Sequence, residues 1–228
     1  MYMQPEAMNE GLLITEKPFS QGDLNNGLYA VLTGKPYMTT AIWRSRAQRA
    51  LRQTGDAGDA IISFQIAAES MLFDTYRMLL VDEGLSSAEI STLLSQEIPF
   101  YTLLTRKLPE KLGGAWDVTH AKTAIGQYWA NLYLMRNSII HTGMQAHGGH
   151  AEEAQKAYWA LRDHVEARLR IKRKIYPRTL YVRLGEKGLA ERGWMSGPLR
   201  RTIEEIKNGP QPYYWPYDLR TSASRAPG

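Results

Sequence analysis

Asp59-Ala-Ile-Ile-Ser-Phe-Gln-Ile-Ala-Ala-Glu-Ser-Met-Leu-Phe-Asp-Thr-Tyr-Arg-Met-Leu-Leu-Val-Asp82 is the stretch from which the fold is read. Ile61, Phe64, Ala68, Leu72, Thr75 and Leu79 recur at steps of three and four, which sets them on one face of an α-helix. Ile62, Ile66, Phe73 and Tyr76 make a second stripe beside the first. Glu69 falls inside the second stripe. A carboxylate there is costly unless it is paired or hydrogen-bonded, so it predicts a partner.

Upstream, Ala41 to Arg52 reads as a basic amphipathic helix closed by Gly55-Asp56-Ala57-Gly58. Downstream, Gly84 stops the long helix, and Ser86-Ser87-Ala88-Glu89 has the pattern of a capping box. The helix so opened runs from about Ser87 to Gln96, meets Pro99 and resumes to about Leu108. Pro109 and Gly113-Gly114 mark a connection. A long helix is expected over Val118 to Thr142, with Ala121, Ile125, Tyr128, Leu132, Met135 and Ile139 as its core stripe. Another is expected over Ala151 to Lys174, burying Ala154, Ala157, Tyr158, Leu161, Val165 and Leu169. Such helices with short connections imply an all-α, antiparallel bundle of four to five helices, spanning residues 41–175.

Two irregular extensions flank it. Residues 1–40 hold Pro5, Pro18 and Pro36 and read as a loop-rich arm. In residues 176–228, Thr179 to Val182 has the composition of a short strand, Ser196 to Lys207 that of a helix, and the end is rich in proline and aromatic residues. Tyr213, Tyr214, Trp215 and Tyr217 suit either stacking on bases or packing on the bundle. The chain has no cysteine, which removes disulfides, thiolate metal sites and cysteine nucleophiles. No apolar run is long enough to span a bilayer and the start lacks a secretory layout, so a cytoplasmic location is expected.

The net charge of +5 is unevenly spread. Arg162, Arg168, Arg170, Lys172, Arg173, Lys174 and Arg178 face only Asp163 and Glu166 in the same stretch. Such a cluster suits RNA, or it is a solvated last helical turn whose cations favour the helix dipole. His141, His147 and His150 sit in a glycine-rich stretch, but their spacing matches no usual zinc pattern, so no metal and no cofactor is expected.

The candidate site lies at the end of the fourth helix, in Tyr133-Leu-Met-Arg-Asn-Ser-Ile-Ile-His-Thr-Gly143. Arg136 offers a permanent cation, and His141 is the residue type that titrates nearest neutrality. Together they suit cleavage of RNA, whose 2′-hydroxyl is an internal nucleophile needing only an acid–base group and a cation at the phosphate. The plain alternative is a histidine that satisfies the last carbonyls of a helix. Arg136 and His141 are about 140° apart on a straight helix, so a frayed last turn or a second chain is needed to bring them together. Asn137 and His141 share a face. Glu69 is the carboxylate expected to hold Arg136.

Arg136-Asn-Ser-Ile-Ile-His141 resembles the signature of HEPN domains, and Phe64 to Leu72 looks like the segment that accompanies it in Apea-like and related bacterial branches. The resemblance covers roughly residues 41–175. It implies a helical bundle that forms a homodimer with two motifs facing one cleft, acting as a metal-independent endoribonuclease in toxin–antitoxin or antiphage systems. By resemblance Arg136 and His141 are catalytic, Asn137 supports them and Glu69 orients Arg136. The basic residues Arg168, Arg170, Lys172, Arg173 and Lys174 are the expected RNA contacts. An antitoxin or defence-system protein is the expected partner. The competing expectations are a non-catalytic HEPN module that binds a nucleotide or protein, and a scaffold subunit held by its aromatic tail.

Overall fold

The computed structural model describes residues 35–96 and 98–209, and these contain helices and no strand. The arm through residue 34 and the aromatic tail from residue 210, including Tyr213, Tyr214, Trp215 and Tyr217, lie outside the described residues. Helix α1 is Met38–Arg49, prolonged by a wide π turn over Ala50–Thr54. Helix α2 is Ala57–Asp82, α3 is Ser87–Ser95, and α4 comprises Phe100–Thr102, a π turn at Leu103–Lys107, and Leu108–Leu112. Helix α5 comprises Ala124–Tyr128, a π turn at Trp129–Tyr133, and Leu134–Thr142. Helices α6, α7 and α8 are Gly148–Ile171, Pro177–Glu191 and Gly197–Asn208, with α7 broken by a kink at Gly185, whose φ is 64°.

Helix α2 is the central element, with α1, α5, α6 and α7 packed around it. Its first stripe behaves as the spacing demands: Ile61, Phe64, Ala68, Leu72, Thr75 and Leu79 are all fully buried. In the second stripe only Tyr76 is buried, while Ile62, Ile66, Phe73 and Glu69 are half-exposed. The chain enters α2 through Gly55 and an Asp56 cap whose carboxylate accepts from the Asp59 amide at 2.8 Å. At α3 the capping box forms, with Ser86 Oγ accepting from the Glu89 amide and Glu89 Oε2 from the Ser86 amide at 2.8 Å.

Two expected elements are corrected. The fourth long helix begins at Ala124 rather than Val118, and Ala121 is exposed instead of lining the core. Residues 117–123 fold into a turn around Asp117, which accepts from the amide and hydroxyl of Thr119 at 2.8 and 2.7 Å. These bonds hold Asp117 at about 2, well below the usual carboxylate range. The turn presses on the start of α5 so closely that any side chain at Gly126 would collide with the His120 carbonyl oxygen. Thr179 to Val182 is helical, not a strand. Asp82 accepts from the Arg178 amide at 3.1 Å and from the amide and hydroxyl of Thr179 at 2.8 and 2.6 Å, capping α7 from another helix. The helix behind Pro198 forms as expected.

The core continues past residue 175. Leu180, Leu184, Leu189, Leu199 and Ile203 are buried in the same cluster as the α2 stripe. Glu166 on α6 ties this end together. It meets Arg183 at 3.3 Å and Arg192 at 3.1 Å, and the Glu166 and Arg183 side chains are almost wholly buried.

Candidate functional site

The segment Leu134–Thr142 is regular α-helix to its last residue and stops at Gly143, whose φ of 70° ends it in the left-handed region. A frayed last turn, one of the two ways to bring Arg136 and His141 together, does not occur. Arg136 and His141 therefore keep about 140° between them, and no hydrogen bond joins their side chains. Arg136 is half-buried; its Nη1 donates to Asn137 Oδ1 at 3.0 Å. Its Nε is buried with no acceptor among the described residues. His141 is exposed, and no described side chain is bonded to its ring.

Glu69 does not pair with Arg136. Its Oε1 accepts from Gln65 Nε2 at 3.0 Å, and the same amide donates to the Tyr128 hydroxyl at 2.8 Å. Glu69 finds its partner four residues back on its own helix, which removes the need for a cation. Both charges still act at one place. Burial pushes the Tyr128 hydroxyl well above its ordinary value; the Gln65 bond and the Arg136 charge oppose this, and the Glu69 charge adds to it. Gln65 and Tyr128 are the site residues missed in the sequence. Gln65 stands four residues before Glu69, a spacing that offered the signal.

The helix segment that carries the motif is poorly covered. None of its nine residues is buried, and Leu134 and Ile140 are 46% and 45% exposed. Upstream, α5 carries a ladder of rings: Trp129 stacks on Tyr133 at 4.1 Å, and Tyr133 on Phe100 at 5.5 Å.

The basic stretch divides into different roles. Arg168 is not free for RNA, because its Nε and Nη2 donate to the Leu112 carbonyl at 3.2 and 2.8 Å and cap the end of α4. Gly113-Gly114 makes room for it: a Cβ at Gly114 would stand 2.8 Å from Arg168 Nε. Arg170 lies over the Trp194 ring at 5.0 Å, and Arg173 donates to the Arg170 carbonyl at 3.1 Å. Lys172 and Lys174 have no ion pair among the described residues. The cluster also lies at the far end of α6 from the His141 turn, and 24 helical residues span about 36 Å. Within one chain it cannot hold the phosphate at His141.

His147 and His150 stack on each other at 3.6 Å at the start of α6, and no group of three potential metal-ligating side chains gathers among the described residues. No described helix is long and apolar enough to cross a membrane. Comparison with family models, curated proteins and solved structures finds no match to this chain.

Proposed function

We propose that the chain is a metal-independent endoribonuclease of HEPN type that works as a homodimer. The observation that carries this reading is the half-buried guanidinium of Arg136, left without a carboxylate while Glu69 is engaged by Gln65. A desolvated cation with an unfilled donor is suited to an anionic oxygen, and phosphate supplies one. His141, exposed on the same short helix, provides the acid–base group.

Because about 140° separates them, the two groups act from different chains in this reading. In a dimer formed through Leu134–Thr142, Arg136 of one copy and His141 of the other reach one phosphate, and Leu134 and Ile140 lose their exposure. His141 takes the proton of the 2′-hydroxyl as its oxygen attacks phosphorus. The P–O5′ bond breaks, the 5′-oxygen gains a proton, and the products are a 2′,3′-cyclic phosphate and a 5′-hydroxyl. Arg136 stabilises the phosphorane charge, and Asn137 fixes Arg136. Lys172, Arg173 and Lys174 serve distant parts of the RNA. A role as toxin or antiphage effector, with an antitoxin or other defence protein as partner, follows from the resemblance alone.

One feature favours the non-catalytic alternative: among the described residues no side chain fixes the tautomer of His141. Incubation of total RNA with wild type and His141→Ala in EDTA separates the two. Cyclic-phosphate ends produced by wild type only support cleavage. Equal ends from both proteins, or none from either, remove it.

A further inference from the structure

The ring ladder on α5 does more than fill space. Phe100, Tyr133 and Trp129 lie nearly parallel, at interplanar angles of 13° and 14°, and Tyr101 meets Trp129 edge-on at 5.6 Å and 67°. Phe100 also touches Tyr128 at 6.3 Å and Phe73 at 6.4 Å, which anchors the ladder in the core. Tyr101, at the outer end, is 51% exposed. Arg106 follows across the π turn of α4, about one turn further on. It is exposed and has no ion pair among the described residues. From Trp129 the helix runs to His141 over less than about 18 Å.

We propose that Tyr101, braced by Trp129, is a stacking platform for a base of single-stranded RNA, with Arg106 taking an adjacent phosphate. The inference rests on the RNA reading above and adds a subsite to it. An aromatic face held rigid by other rings stacks a base with little further ordering, and stacking is indifferent to base identity. An apolar protein contact has no use for an unpaired arginine beside the ring, whereas a nucleotide presents a flat base and an anion together. The ladder places that subsite on the helix that leads to Arg136 and His141.

The test uses the full chain and a short fluorescein-labelled 2′-O-methyl oligouridine, which cannot be cleaved by 2′-oxygen attack. Tyr101→Ala is expected to weaken binding about ten- to a hundredfold, and Tyr101→Phe to retain it. Arg106→Ala is expected to weaken binding and flatten its salt dependence. Wild-type binding by Tyr101→Ala overturns the platform, as does Tyr101→Leu binding as tightly as Tyr101→Phe. A Tyr101→Ala protein that binds normally but changes its sedimentation assigns the ring to a protein interface and also overturns it. Failure of the nuclease reading stays distinct. Wild type that binds the oligomer through Tyr101 but leaves no cyclic-phosphate ends on total RNA loses the chemistry and keeps the platform.

Discussion

Gln65 on α2 donates to the Tyr128 hydroxyl on α5 at 2.8 Å, buried and across 63 residues of sequence. Its amide also holds Glu69, so one side chain satisfies two groups that would be costly alone. Gln65→Ala is expected to lower the unfolding free energy by about 1–3 kcal/mol, because it strands both partners. Tyr128→Phe removes one bond and should cost about 0.5–1.5 kcal/mol. A double-mutant cycle by urea denaturation should give less than the sum of the single changes.

Arg168 should act on stability and its neighbours on binding. Arg168→Lys breaks the two-pronged bond to the Leu112 carbonyl and is expected to cost about 1–3 kcal/mol. Lys174→Ala is expected to stay within about 0.5 kcal/mol of wild type, while weakening RNA binding with a shallower salt slope. Thermal melts and salt-dependent anisotropy read the two effects separately.

Glu166 pairs with three arginines, Arg162, Arg183 and Arg192, and Arg183 is buried with it. Glu166→Gln leaves those cations without their carboxylate and should cost about 3–5 kcal/mol. The loss should appear as a lower denaturant midpoint with an unchanged slope.

The fold also carries a pH response. Burial holds His164 below its ordinary 6.5, helped by the Arg168 charge, and its ring meets Trp116 edge-on at 4.8 Å. The unfolded chain then binds more protons at this position than the folded one. Stability from His164 is complete above 6.5 and is lost as pH falls from there toward the depressed folded value. His164→Phe keeps the ring against Trp116 and removes a buried nitrogen that lacks a partner. Its melting temperature should fall less steeply than that of wild type below pH 6.5.

The helical architecture was legible because α2 has a uniform apolar face and because local signals such as Gly84 and the Ser86/Glu89 box mark where one helix stops and the next begins, whereas Asp56, read as part of a closing turn, in fact caps α2. What was not legible depends on contacts distant in sequence. Thr179 to Val182 has strand-like residues, but its helix is started by Asp82, 97 residues before Thr179. The motif at Arg136 and His141 was visible as residue types, whereas the diversion of Glu69 to Gln65 turns on a same-helix amide competing with a distant cation, which side-chain type alone does not decide. The role of Arg168 depends on a carbonyl 56 residues away, which no local charge count reveals.

The π turn at Trp129–Tyr133 acts as a phase shifter. One residue more than an α-turn requires is taken up there, so every residue beyond it lags by about 100° and about 1.5 Å behind the place it would hold in an uninterrupted helix. The face that Leu132 buries and the faces that Arg136 and His141 present are thus set independently. Removal of a single residue from this turn would leave the Leu134–Thr142 segment at its present azimuth, whereas winding the same residues as regular α-helix would swing the whole segment to a new one. The orientation of the motif is encoded by a surplus residue upstream, in a stretch that contains none of the motif's own side chains.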